Sequence, residues 1–231
     1  MNLALLHLCD SLFPIGAFAH SDGLESATSD GRVATASDLR AWLDACLDET
    51  IGRLEGPAVW QAWIAVRDGD WSAVETLDEE LTALRPSSAA RRSSRAMGAR
   101  LLTTWSALHP DPRLAELRAR VCPERALVPS RVEGPALPIA FAAACACADT
   151  DRRASVEAFA YTRLAATISA AMRLMPIGQT DAHALLAQAL DRVPALAAVI
   201  AARNARLESF SPALDVAAMT QQYLHSRLFR S

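Results

Sequence analysis

The sequence predicts an all-α protein, a single domain over residues 1–231 with about ten helices around one buried central helix. Three observations predict it. Apolar residues recur three and four positions apart along most of the chain, which is the period of an amphipathic helix. No segment sustains the alternation of a half-buried strand, and no Asn-Gly or Asp-Gly turn joins two β-branched runs. The run SVEAFAYTRLAATISAAMRLMPIGQ, from Ser155 to Gln179, is apolar or small all the way round a helix. Between Ala154 and Leu174 its only charges are Glu157, Arg163 and Arg173. A helix apolar on every side is enclosed by others, so the stretch from Ser155 to Met175 is the predicted centre.

The other elements follow in order. Residues 3–9 suit a short helix, broken by Phe13-Pro14-Ile15-Gly16. Residues 21–29 read as helical, stopping near Gly31. Thr35 with Asp38 three residues on resembles a capping box, with Asp in place of Glu. The helix behind it carries Leu39, Trp42, Leu43, Cys46 and Leu47 on one face, and Gly52 reads as its stop. Pro57 opens the next helix, which ends at Gly69. Asp70 caps another, with Trp71, Val74, Leu77, Leu81 and Leu84 at helical spacing. Ser87 or Ser88 starts a long helix to Leu108, whose first half bears Arg91, Arg92, Arg95 and Arg100.

A short helix ends at Val121. Residues 122–138 hold four prolines and one glycine and read as the longest loop. A buried helix over 137–148 precedes the central one. Pro176 stops the central helix, because proline disfavours helical geometry at Met175. Thr180 reads as the cap of a helix to Val193, Pro194 opens one to Arg206, and Ser211-Pro212 opens the last. The tail HSRLFRS, within residues 224–231, holds Leu228 and Phe229 between Arg227 and Arg230. It reads as an anchor, docked in the fold or ordered when a partner arrives.

Composition narrows the function. Hydrophobic residues make up 52% of the chain, ample for one core. The net charge of −3 carries no bias toward nucleic acid. All 23 basic residues are arginine. The five cysteines form no C-x-x-C pair, which argues against a disulfide framework and for a reducing compartment. The apolar N-terminus lacks a basic flank and is interrupted by Asp10, so it does not read as a signal peptide. The uncharged apolar run at 136–148 is too short to span a bilayer. A cytoplasmic protein that binds neither membrane nor nucleic acid is expected.

Candidate chemistry is sparse. Asp10, Ser11, His20 and Ser21 contain the residue types of a Ser-His-Asp site, but no nucleophile elbow accompanies them. Turn and capping roles suit them as well. Cys9, His20, Asp22 and Glu25 could gather, yet their spacing matches no closed metal site. There is no phosphate-binding G-x-x-x-x-G-K-[ST] loop. The segment DSLFPIGAFAHSDGLE is harder to leave unassigned. Phe13, Ile15 and Phe18 surround a turn there and must pack on the core or on a partner.

Three blocks carry a resemblance: LLHLCDSLFPIGAFAHSDGLESA at 5–27, ISAAMRLMPIGQTDAHALL at 168–186 and SPALDVAAMTQQYLHSRLFRS at 211–231. With SRAMGARLL at 94–102, they resemble the urease accessory protein UreF family across the whole chain. The resemblance implies an all-α, usually dimeric protein that is not an enzyme. It implies work with UreD (UreH in some organisms) and the GTPase UreG in loading nickel into apo-urease, with no tightly bound cofactor and nickel handled by the complex. It implies partner contacts at Asp10, Ser11, Pro14, Gly16, Phe18, His20, Arg173, Gln179, Arg227, Leu228, Phe229 and Arg230. The sequence departs from the family pattern at Gln221-Gln222, Ala136 and Ala142. Two other readings stay open: a helical adaptor of the same fold without a urease role, and a hydrolase using Ser11 and His20.

Overall fold

The computed structural model describes residues 2–121, 134–203 and 206–230. Among these residues the chain forms twelve α-helices and no strand. They are α1 (Leu3–Leu8), α2 (Leu24–Ser29), α3 (Ala36–Ala45), α4 (Gly56–Asp68), α5 (Trp71–Ala83) and α6 (Ser88–Leu108). Then come α7 (Pro112–Val121), α8 (Leu137–Cys147), α9 (Arg152–Leu174), α10 (Gln179–Leu190), α11 (Val193–Arg203) and α12 (Pro212–Thr220). The predicted all-α class is the observed one. Most of the proline-rich segment expected as the longest loop lies outside the described residues.

Capping residues set several of the starts. The Asn2, Asp70, Ser87 and Asp151 side chains each accept the N–H three residues on, satisfying donors that a helix start leaves free. Thr35 and Asp38 form both halves of the box. Thr180 is not a cap. It lies inside α10, and Gly178 in extended geometry precedes that helix. The start of α8 is held from outside its own chain segment. Asp78 accepts the Ala136 N–H at 2.7 Å and Ser94 accepts the Leu137 N–H at 3.0 Å. Gly98 of α6 lets this segment approach, because a Cβ there would stand 2.0 Å from the Pro135 carbonyl oxygen.

Gly52 does not end a helix. A π-helical segment, Cys46–Glu55, joins α3 directly to α4. Pro57 follows inside the first turn of α4 and has no N–H to give the Arg53 carbonyl, so the Glu208 N–H supplies that bond at 2.9 Å. Gly52 is small for packing reasons: a Cβ there would stand 2.9 Å from Leu196 Cδ1 on α11. Glycine punctuates a chain and also admits close neighbours, and here the second role decides.

The apolar residues gather in two clusters. One is built mainly from α4, α5, α6, α7 and α8, around Trp105, Phe141 and Phe159. The other draws on α2, α3, the π segment, α10 and α12, around Leu24, Leu43, Leu164 and Phe229. Helix α9 feeds both: Val156 and Phe159 enter the first, and Ala160, Leu164, Ile168 and Ala171 the second. Its expected burial on all sides is not observed. Tyr161 and Arg173 are exposed, and Ala165, Ala166 and Ser169 are half-buried along a cleft. The enclosed helix is α8, where Leu137 to Ala146 are all buried, chiefly against α4 and α6.

By length and composition alone Gln179–Arg203 could cross a bilayer, but a turn at Asp191-Arg192 divides it into α10 and α11. The turn's Arg192 pairs with Asp44 and Asp48 of the neighbouring segment.

Candidate functional site

The segment after α1 folds back on itself through short bonds. The Asp10 carboxylate accepts the Leu12 N–H at 2.8 Å, and the Asp10 carbonyl accepts the Phe13 N–H at 2.9 Å. Phe13 is buried against Trp105, with ring centroids 5.9 Å apart. Pro14 is exposed in the turn. Gly16 takes a left-handed φ of +80°, and the Arg100 guanidinium occupies the side its Cβ would need while donating to the Ile15 carbonyl at 3.3 Å. A 3-10 turn, Ala17–Ala19, then presents Phe18 with 51% of its surface in water.

The C-terminal segment lies against this one. Thr220 and Ser26 share a hydroxyl bond of 2.8 Å. Gln221 is buried and satisfied at both ends of its amide. Its oxygen accepts from the Ser21 hydroxyl at 3.1 Å and the Gly23 N–H at 3.0 Å, and its nitrogen donates to Glu25 at 3.2 Å. The Glu25 carboxylate also accepts the N–H groups of Leu228 and Phe229. The Arg230 N–H reaches the Ala19 carbonyl at 2.7 Å. Phe229 is therefore buried at 3% exposure, whereas Leu228 keeps 54%. Expected together as one anchor, the two residues divide: Phe229 packs within the chain and Leu228 faces outward.

Arg173, on α9, touches both segments. Its Nη1 donates to the Phe18 carbonyl at 3.0 Å, and its Cζ lies 4.4 Å from the centre of the Phe229 ring. These groups border a cleft of about 240 Å³ that also includes Cys9, Asp10, Ser11, His20 and Tyr161. Burial pushes His20 below the ordinary histidine pKa. Asp22 opposes this, while Arg100, Arg163 and Arg230 add to it. The imidazole is accordingly neutral near pH 7.

A second, smaller cavity of about 80 Å³ is lined by a partly buried charge network. Arg163 donates to Asp22 at 2.6 Å and to Glu55 at 3.1 Å, and Arg85 also bonds Glu55. Burial works to raise the Asp22 carboxyl pKa. The Arg163 guanidinium outweighs it, with help from Arg85 and His20, and the pKa ends below its ordinary value.

Of the residues singled out from sequence, Asp10, Ser11, Phe18, His20, Arg173 and Phe229 share the first cleft. Gly16, Leu228 and Arg230 adjoin it through their chain neighbours. Arg227 is exposed on the tail, and Gln179 is exposed at the start of α10, outside the cleft. Glu25 and Gln221 were not anticipated as organisers of the site. An acid two positions after Gly23, the one charge in the helix Leu24–Ser29, was the available signal. Gln221 stands at a departure from the family pattern and has an internal role, whereas Gln222 is exposed. The Asp10 carboxylate serves the turn at Leu12. No group of three or more His, Cys, Asp or Glu that could hold a metal ion occurs among the described residues.

The site thus defines a helical protein whose two chain ends meet on one surface beside an open cleft. Comparison with known proteins narrows this further. The UreF family model matches residues 33–190. The urease accessory protein UreF of Methylibium petroleiphilum is 34% identical over 230 residues, covering 99% of this chain and 93% of that protein. That of Delftia acidovorans is 34% identical over 242 residues, covering 99% and 96%. That of Azoarcus sp. is 31% identical, covering 99% and 95%. The chain belongs to the UreF family of urease accessory proteins. The family model stops short of both chain ends, which the full-length relatives cover.

Proposed function

We propose that the chain acts as a nickel-insertion chaperone in urease maturation, catalysing no reaction itself. In this reading it bridges UreD (UreH in some organisms) and the GTPase UreG, and so presents the loading machinery to apo-urease in the cytoplasm. Nickel is cargo of the complex, and the chain works as a homodimer. One observation carries the reading: Phe18 and Leu228 stand exposed on segments that are otherwise fastened to the fold. Exposed apolar side chains with a charged rim mark interaction surfaces. Here they come from opposite ends of the sequence and adjoin Arg173 and Arg227.

The test is co-purification with UreD and UreG, followed by urease activation. A Phe18→Asp, Leu228→Asp variant should lose capture and activation while melting within a few degrees of the unaltered protein, because both side chains are exposed. Capture at the unaltered level would refute this surface as the docking site.

A further inference from the structure

We infer that Arg173 is a positioning residue that locks the 3-10 turn Ala17–Ala19 and the C-terminal tail into one cooperative unit, so that neither orders without the other. The coupling concerns the free chain and does not rest on its partners.

The geometry is specific. One guanidinium serves two segments that lie more than two hundred residues apart in sequence. Its Nη1 donates to the Phe18 carbonyl at 3.0 Å, and its face covers the Phe229 ring with Cζ 4.4 Å from the centre. Among the described residues its partners are the Phe18 carbonyl and the Phe229 ring. A second link runs directly between the segments, where the Arg230 N–H meets the Ala19 carbonyl at 2.7 Å. The carbonyls of Phe18 and Ala19, successive in the turn, thus receive donors that are both tied to the tail's docked position.

The turn has few anchors of its own, and the tail's independent anchors are the Phe229 ring and the bonds to Glu25. The 3-10 turn is three residues long, and none of Ala17, Phe18 and Ala19 is buried. In the tail, Phe229 is buried, while His225, Ser226, Arg227, Leu228 and Arg230 are exposed. The Glu25 carboxylate receives the Leu228 and Phe229 N–H groups and fastens the tail to α2, but it makes no bond to the turn. Arg173 and the Arg230–Ala19 bond are therefore the bridge. An arginine can donate in the plane of its guanidinium while stacking through its face, and a lysine offers only a point charge. That distinction makes the role testable.

The experiment is backbone hydrogen exchange on the purified full chain. The reporters are the amides of Ala19 and His20, which bond to Gly16 and Ala17 within the turn, and the amides of Leu228 and Phe229, which bond to Glu25. In Arg173→Ala both sets should exchange about tenfold faster or more, while amides of α4 and α8 stay unchanged. Deleting residues 227–231 should accelerate Ala19 and His20 to a similar degree, although the deletion removes nothing that those amides bond. Arg173→Lys should restore part of the turn's protection and less of the tail's, since it keeps a donor and loses the stacked plane. Unchanged Ala19 and His20 exchange in the truncated chain would overturn the coupling. So would a tail indifferent to Arg173→Ala, or full restoration of both segments by lysine. If Arg173→Ala unfolds the whole chain, the truncation reads the same coupling without touching α9.

Discussion

Replacing Arg163 with methionine tests the partly buried charge network. Among the described residues the Arg163 guanidinium forms the ion pair with Asp22, whereas Glu55 keeps Arg85 when Arg163 is gone. The substitution therefore strands one carboxylate, and methionine approximates the lost volume. Removing one member of a fully buried pair costs roughly 3–5 kcal/mol. The Asp22 side chain keeps 35% of its surface exposed, and water screens part of the loss. About 2–3 kcal/mol is expected, a fall in Tm of roughly 4–12 °C for a chain of this size. The pH dependence carries a sign. In the unaltered protein the Asp22 pKa is depressed, so its contribution is present above the ordinary carboxylate value and lost as pH falls through the folded pKa. Without Arg163, burial pushes that pKa upward, and the carboxyl takes a proton more readily in the folded state than in the unfolded one. The penalty then shrinks as the medium is acidified. Circular dichroism melts at pH 7 and pH 5 should show the gap between the two proteins narrowing at pH 5. A Tm loss below about 2 °C, or a gap that widens at pH 5, would refute the reasoning.

Two further outcomes follow from packing. Gly98→Ala places a Cβ 2.0 Å from the Pro135 carbonyl oxygen and should destabilise by about 1–3 kcal/mol or more, read as a lower urea midpoint; an unchanged midpoint would contradict the close approach. Burial pushes the thiols of Cys9, Cys46 and Cys147 up to about 12 and that of Cys145 higher still, so a Cys122→Ser protein should react slowly with a thiol-disulfide reagent near pH 7 until denatured; a rapid stoichiometric burst would contradict it.

Much of the architecture was legible because local chemistry and tertiary packing agree. Thr35 with Asp38, Asp70 and Ser87 announce helix starts by side-chain type alone, and the structure uses all of them. Helix α8 was legible as buried because it carries no charge from Leu137 to Cys147. Two of the failures share one cause: a small residue has several uses. Gly52 resembles a stop and is a contact with Leu196. Ala165, Ala166 and Ser169 resemble core and border an open cleft. Composition reports which side chains a site tolerates and leaves open which neighbour, if any, fills the space beside them. The joining of the chain ends was beyond local reading for the same reason. Nothing near Glu25 in sequence indicates that its carboxylate receives the N–H groups of Leu228 and Phe229.

The residues of the terminal motifs therefore separate by physical role. Glu25, Gln221 and Phe229 are buried, and their polar groups are bonded within the chain. Altering any of them removes the platform as well as any contact made on it. Pro14, Phe18, Arg227 and Leu228 are exposed, and substitution there leaves the platform standing. Arg173 belongs to both groups, exposed at one edge and bonded to both segments at the other. Loss of partner capture in a Phe229 variant is thus not evidence that Phe229 meets the partner, because its ring belongs to this chain's own core. The same loss in a Leu228 variant is such evidence, provided the tail amides at Glu25 keep their protection.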